Sequence, residues 1–289
     1  MTAFGLLSVG DLGLDLYEDE VAPRPGGCAL NVACAFAAAA RSARVAAAGP
    51  VGPDGVWLRE VLASRGASPG LVSVEEGATP RQRIALRPDG ERVFAPHEPG
   101  VLLGFRPSAA LRAAIAAADL VSVPVFEPTL ALADEVLALR AGRGPTALDL
   151  MNLEGIEPAW IDSAIDRAAF VFAGLDPARD AAWVDRVAAR ARRPGAAVVV
   201  VTLGPAGAVA FVRDERFAVA APPVPGGRVV DTTGCGDAFA GTFLATRASG
   251  IDAALREAAL AASHVAARRG ALGPAGRVLR PGCVEDPRS

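Results

Sequence analysis

Hydrophobic positions along the chain come in two alternating kinds of run. Phe4 to Val9, Val45 to Val51, Leu120 to Val125, Thr146 to Leu150, Phe170 to Ala173 and Ala197 to Thr202 are short, nearly unbroken apolar stretches of the kind that become buried strands. Val56 to Arg65, Ser108 to Ala118, Leu130 to Leu139, Pro158 to Arg167, Ala181 to Ala191, Ala238 to Ser249 and Ala253 to Arg268 instead carry apolar residues at helical spacing. From about Arg106 the two kinds alternate regularly, which predicts an α/β fold with a mostly parallel sheet and helices on both faces. The first third of the chain breaks that rhythm. Val72 to Glu75 and Arg81 to Phe94 read as strands with no helix between them, and Pro88-Asp89-Gly90 folds the second into a hairpin. Strands inserted this way predict a small second sheet. A length of 289 residues at 52% hydrophobic content suits one large α/β domain, residues 1–289, with that sheet as its appendage.

One stretch carries the clearest chemistry. An apolar run leads into Asp231-Thr232-Thr233-Gly234-Cys235-Gly236-Asp237, and a helical segment follows as far as Gly250. The glycine loop is therefore a helix N-terminus, whose first amides lack intrahelical partners and whose dipole adds positive charge. Such a place binds anions, and Asp237 stands at its mouth. One reading makes Asp237 a base that takes a proton from an attacking hydroxyl, while the amides of Gly234, Cys235 and Gly236 hold charge on a moving phosphoryl group. The other makes it an ordinary N-capping carboxylate.

Other candidates sit where an open sheet binds its ligands, beyond the carboxyl ends of strands. Asp11 and Asp15 follow the first strand; turn or capping duty is the alternative, and for Asp11 the favoured one. Gly26 and Gly27 open an alanine-rich helix with Asn31 one turn inside, where its amide offers both a donor and an acceptor. Strand Val198 to Val201 runs into Thr202-Leu203-Gly204-Pro205-Ala206-Gly207, and glycines there allow a ligand to approach closely. Arg81, Gln82 and Arg83 alternate faces, so Arg83 either meets substrate or guards an exposed edge.

Charge and composition narrow the classes. A formal net charge of −3 leaves no electrostatic footprint for nucleic acid. No apolar run reaches the roughly 18 residues of a membrane span, and Met1-Thr2-Ala3-Phe4-Gly5 lacks a basic signal-peptide start. Cys28, Cys34, Cys235 and Cys283 show no paired spacing and read as reduced thiols of a cytoplasmic protein. All 29 Lys+Arg positions are arginine. That removes the P-loop lysine, the protein-kinase lysine and Schiff-base chemistry together. His97 and His264 stand far apart without ligand spacing, against a zinc site or a Ser-His-Asp triad, and read as surface or packing residues.

Asp231 to Phe239, Asp-Thr-Thr-Gly-Cys-Gly-Asp-Ala-Phe, resembles the C-terminal signature of the ribokinase-like (PfkB) carbohydrate kinases, with Cys235 where that family usually has alanine. Gly26 to Ala33 is similar to the family's N-terminal Gly-Gly-x-x-x-Asn-x-Ala element, and Thr202 to Gly207 to its Thr-Leu-Gly-x-x-Gly loop. The resemblance implies a ribokinase-like fold in which segments from about 12–25 and 72–98 form a lid over a sugar-like substrate. It implies ATP and Mg²⁺, with Asp237 as base and the glycine loop as anion hole. Asp15, Gly26, Gly27 and Asn31 would hold the acceptor, with Asp11, Glu127 and Arg83 as further candidates. Thr202, Gly204 and Gly207 would face the nucleotide, and Asp231 and Thr233 would ligate a monovalent cation such as K⁺. Alkylation of a Cys235 thiol exposed in the hole would inhibit, with ATP protecting.

Two departures from the pattern stand out. The family's Asn-x-x-Glu element, which helps order Mg²⁺, reads Ala173-Gly174-Leu175-Asp176, leaving only Asp176 to stand in. Cys28 occupies the place of a ribokinase lysine. Gly10 to Tyr17 and Glu98 to Val101 are similar to the fructoselysine kinase-like branch, which implies a fructosamine- or ketose-like acceptor. A nucleoside kinase of the same fold and a sugar-binding regulator without turnover are the alternatives, and exposed lid edges make a homodimer the expectation.

Overall fold

The computed structural model describes residues 4–273. In chain order the elements are β1 (Leu6–Val9), β2 (Gly13–Tyr17), β3 (Arg24–Gly26), α1 (Cys28–Ala39), β4 (Val45–Val51), α2 (Leu58–Ser64) and β5 (Ala67–Val74). Then come β6 (Arg81–Leu86), β7 (Arg92–Phe94), α3 (Ala109–Ala117), β8 (Val121–Pro124), α4 (Leu130–Arg140), β9 (Thr146–Asp149), α5 (Pro158–Arg167) and β10 (Phe170–Gly174). The last are α6 (Ala181–Ala191), β11 (Val198–Thr202), β12 (Ala208–Val212), β13 (Glu215–Val219), α7 (Cys235–Thr246) and α8 (Ile251–Ala266).

Nine strands form the main sheet in the order β13-β12-β11-β10-β9-β8-β1-β4-β5. Every pairing in it is parallel except the β11-β12-β13 hairpins at one edge. Strand side chains alternate between two cores. Leu6, Val45, Ala47 and Val200 face α1, α2, α7 and α8; Leu7, Ala46, Ala48, Val199 and Val201 face α3 to α6. Burial on both faces is why these strands read as continuous apolar runs.

The expected second sheet is present, in the order β3-β2-β6-β7. Its turn forms at Pro88-Asp89-Gly90, joining β6 and β7 antiparallel. One boundary needs correction: Val72 to Val74 belong to β5, which pairs in parallel with β4 at the edge of the main sheet. Ser68, Pro69 and Gly70 mask the start of that strand, so its half-exposed end resembles a lid strand.

Candidate active site

Strand order switches direction at β1, which lies between β4 on one side and β8 on the other, and the carboxyl ends of these parallel strands mark the crevice where doubly wound sheets bind ligands. Helices α1 and α7 both point their N-termini there. The two pack unusually close because Gly241 of α7 lies against α1, where an added Cβ would come within 2.6 Å of Val32 O. Phe243, fully buried, fixes α7 to the sheet edge-on to Phe172 at 5.5 Å and Phe170 at 6.3 Å.

That packing brings together residues far apart in sequence. Asn31 Nδ2 donates to Asp237 Oδ2 at 2.9 Å. Asn31 Oδ1 is buried and unpartnered, an acceptor awaiting a donor. Asp15 is buried at 6% exposure, with Gly26 abutting its carboxylate. Gly27 begins α1 without a side-chain cap of its own, and Asp11 supplies one: its carboxylate accepts from Cys28 N at 3.0 Å and Ala29 N at 3.3 Å. Asp11 thus adopts the geometry of the capping alternative.

A fourth carboxylate, Asp149, ends β9 and accepts from Met151 N at 3.0 Å. Sequence reasoning missed it because the strand was read through to Leu150. Met151 follows with φ 52°, and its sulfur lies 3.9 Å from Cys28 Sγ. His97, from the segment after β7, meets Phe126 edge-on at 5.2 Å, and its Nδ1 is buried without a partner.

These carboxylates raise one another. Burial, then the charge of Asp149, pushes Asp237 up to about 7, against the opposing pull of the Asn31 hydrogen bond. Burial lifts Asp149 to about 6. Asp15 is held well above the usual carboxylate range by burial and by Asp237, Asp11 and Asp231, while Asp11 is raised chiefly by burial. A carboxyl held near neutrality, hydrogen-bonded and set at a helix N-terminus has the properties that general-base chemistry calls for.

The glycine loop is the N-terminus of α7, as its sequence predicts, with two amendments to the expected anion hole. Gly234 takes the left-handed conformation (φ 79°) and packs so tightly on Ala271 that only glycine fits. The first rung of α7 runs from Ala238 N to Gly234 O at 2.9 Å, so the amides of Gly236 and Asp237 precede the ladder and have no place in it. The Cys235 amide is instead spent on Thr232 O at 3.2 Å. Its thiol turns to Ala262 O at 3.5 Å, and burial pushes it up to about 12, which removes the expectation of a reactive group in the hole.

The remaining candidates are spread along the crevice and beyond. Thr202 ends β11, Gly204 is exposed with open space around it, and Gly207 is buried at the start of β12. Glu127 is exposed at the head of a short turn after β8. Arg83 is exposed on the lid and pairs with Glu98 at 2.9 Å. Asp176 is exposed, its Oδ1 taken by the amides of Ala178 and Arg179. Asp231 and Thr233 are buried, and Asp231 accepts from Tyr17 Oη, Gly270 N and Thr233 N. Burial opposes the charge on Asp231, yet these donors, Tyr17 foremost, hold it below the usual range. Cys283 lies outside the described residues.

Sheet order, lid and anion loop together define a phosphotransferase of the ribokinase fold. The chain belongs to the pfkB family of carbohydrate kinases, whose profile it matches over residues 11–275. Among solved structures it is similar to adenosine kinase from Sinorhizobium meliloti, with a TM-score of 0.79 at 20% identity, covering 94% of this chain and 96% of that one. It is also similar to ribokinase from Cryptococcus neoformans var. grubii serotype A in complex with ADP, at TM-score 0.76, 20% identity, and coverage of 94% and 96%. Burkholderia thailandensis nucleoside kinase in complex with inosine gives 0.74 at 22% identity, covering 92% of each chain. No curated sequence matches the chain. Its family makes the protein a phosphotransferase of the carbohydrate-kinase class. No helix among the described residues is long and apolar enough to cross a membrane.

Proposed function

We propose that the protein transfers the γ-phosphoryl group of ATP to a hydroxyl of a sugar or sugar derivative, with a fructosamine- or ketose-like acceptor favoured. One observation carries the reading: Asp237, tuned near neutrality, sits between the first amides of α7 and the polar floor formed by Asn31, Asp15 and Gly26. Asp237 takes the acceptor's proton, and Asn31 holds the carboxylate aimed while its free Oδ1 accepts from a second acceptor hydroxyl. Asp15 grips a further hydroxyl. The amides of Gly236 and Asp237 stabilise charge on the moving group.

The chain's residues fit a nucleotide. A Cβ built at Gly236 or Gly204 meets nothing within 4 Å, so backbone is open to phosphate at one end and to the rest of the nucleotide at the other. ATP would supply the phosphoryl group when bound, and Mg²⁺ would neutralise charge on its phosphates. Among the described residues no group of three or more His, Cys, Asp or Glu forms a cage for a metal. Mg²⁺ would be carried by the phosphates of ATP, with Asp176 as the candidate residue of this chain for its outer surroundings.

A nucleoside acceptor is the second reading, favoured by the His97–Phe126 pair near Asp11, an apolar wall on which a base could stack. The test is ADP release with Mg-ATP across ketoses, aldoses, fructosamines, sugar acids and nucleosides, beside Asp237→Asn. Acceptor-dependent release, reduced about 10³-fold or more in the variant, is expected. Retained turnover in Asp237→Asn would remove the base assignment, and nucleosides as best acceptors would decide for the second reading. Silence with retained sugar binding would turn the protein into a regulator. We also assign the exposed edge strand β7, with Val93 and Phe94, to contact with a second copy of the chain.

A further inference from the structure

We infer that Tyr17 and Arg92, both on the lid sheet, take the structural place of a monovalent cation beside the anion loop, so that lid docking rather than an ion assembles the hole. This rests on the kinase reading above.

The residues that would ligate the ion are already subscribed. Asp231 is fully buried. Its Oδ2 accepts from Tyr17 Oη at 2.5 Å and Gly270 N at 2.8 Å, and its Oδ1 from Thr233 N at 2.8 Å. Nearby carbonyls are committed as well. Thr232 O accepts from Arg92 Nη1 at 2.9 Å and from Cys235 N, and Ala266 O accepts from the amides of Val230 and Asp231. Arg269 O accepts from Arg24 and Ala271 O from Arg268. Among these oxygens of the described residues, Thr233 Oγ1 is buried without a hydrogen-bond partner. A potassium-sized ion needs about six oxygens around it, by analogy with other hard cations, and here it would displace protein donors to obtain them.

Positive charge is already supplied. Arg92 Nη1 also reaches Thr232 Oγ1 at 2.7 Å, and the Arg269 and Arg24 guanidiniums lie 4.6 Å and 5.7 Å from the Tyr17 ring centroid. The Arg92 guanidinium thus lies against the loop itself, while Arg24 and Arg269 flank Tyr17 and are paired with Glu20 and Asp19. The donors also belong to the lid: Tyr17 ends β2 and Arg92 opens β7. Thr232 N donates to Gly90 O in the β6–β7 turn at 3.3 Å. Tyr17 and Arg92 are therefore positioning residues, acting on the hole through Asp231 and Thr232.

The experiment is a cation series on the full chain at constant ionic strength, with potassium and sodium replaced by tetramethylammonium. Two readouts are taken: kcat for ADP release with the best acceptor, and the thermal midpoint without nucleotide. Both are expected to superimpose across the series. Tyr17→Phe and Arg92→Gln are expected to lower kcat about tenfold or more, with acceptor KM held within about twofold, and to speed amide exchange across 231–237. A potassium-selective rise in wild-type kcat or thermal midpoint overturns the inference, as does wild-type kcat in both variants. If no acceptor supports turnover, the kinase reading fails on its own. Thermal midpoints and amide exchange then still decide whether the lid or an ion holds the loop.

Discussion

Asp237 shows how one residue sets function against stability. Its carboxyl moves from an ordinary 3.8 to about 7 on folding, equivalent to roughly 4 kcal/mol acting against the ionised form. Below about pH 4 both folded and unfolded chains hold the proton and nothing is lost. As pH rises toward 7 the unfolded chain releases it while the folded chain does not, so stability falls through that window and levels above it. Asp237→Asn is therefore expected to be more stable than wild type at pH 8, by about 2–4 kcal/mol, with the gap closing toward pH 4. Urea midpoints at the two pH values check this, and equal midpoints at pH 8 would count against the buried base. The rate should move the opposite way, with kcat/KM climbing with pH through about 7 as the base ionises.

At the scale of elements, end chemistry decides how helices are held. Helix α3 begins at Ser108, whose hydroxyl accepts from Leu111 N at 3.2 Å. Its other end is closed by a residue from α4: buried Arg140 donates Nη1 to Ile115 O at 3.0 Å and Ala118 O at 2.7 Å, and Nη2 to Pro145 O at 3.2 Å. Arg140→Met keeps the stem and strips the donors from several buried carbonyls. It should cost about 2–4 kcal/mol in denaturant unfolding while leaving acceptor KM unchanged, since α3 lies away from the crevice.

Elements are also where the sequence was most readable. The central strands of the main sheet and the long helices follow from local periodicity, because burial on both faces or on one stripe leaves a local signature. What escaped was set by partners distant in the chain. Asp149 looks like the interior of an apolar run, and Tyr17 and Arg92 show no local sign of meeting Asp231 and Thr232. Asn31 and Asp237 meet across 206 residues, a pairing that only the two family signatures pointed to. Val72 was misplaced because an edge strand, half exposed, carries a lid strand's pattern.

For the molecule as a whole, the lid sheet rests on the anion loop of its own chain, so its inner contacts are already made and its outer edge remains. Phe94 is 48% exposed on that edge. Sedimentation velocity is expected to show a dimer for wild type and a monomer for Phe94→Glu, with melting temperatures alike. A monomeric wild type would remove the lid edge as an interface.

The sheet order also fixes when the parts arrive during synthesis. The ribosome delivers the centre of the sheet, β1 and the α1 floor, well before the α7 helix that covers them. A nascent chain halted before residue 230 would carry Asp15, Gly26 and Asn31 in place but leave the flank of α1 facing α7 bare. Cover for that flank of α1 therefore comes only once α7 has been made, and Asp237 comes with it.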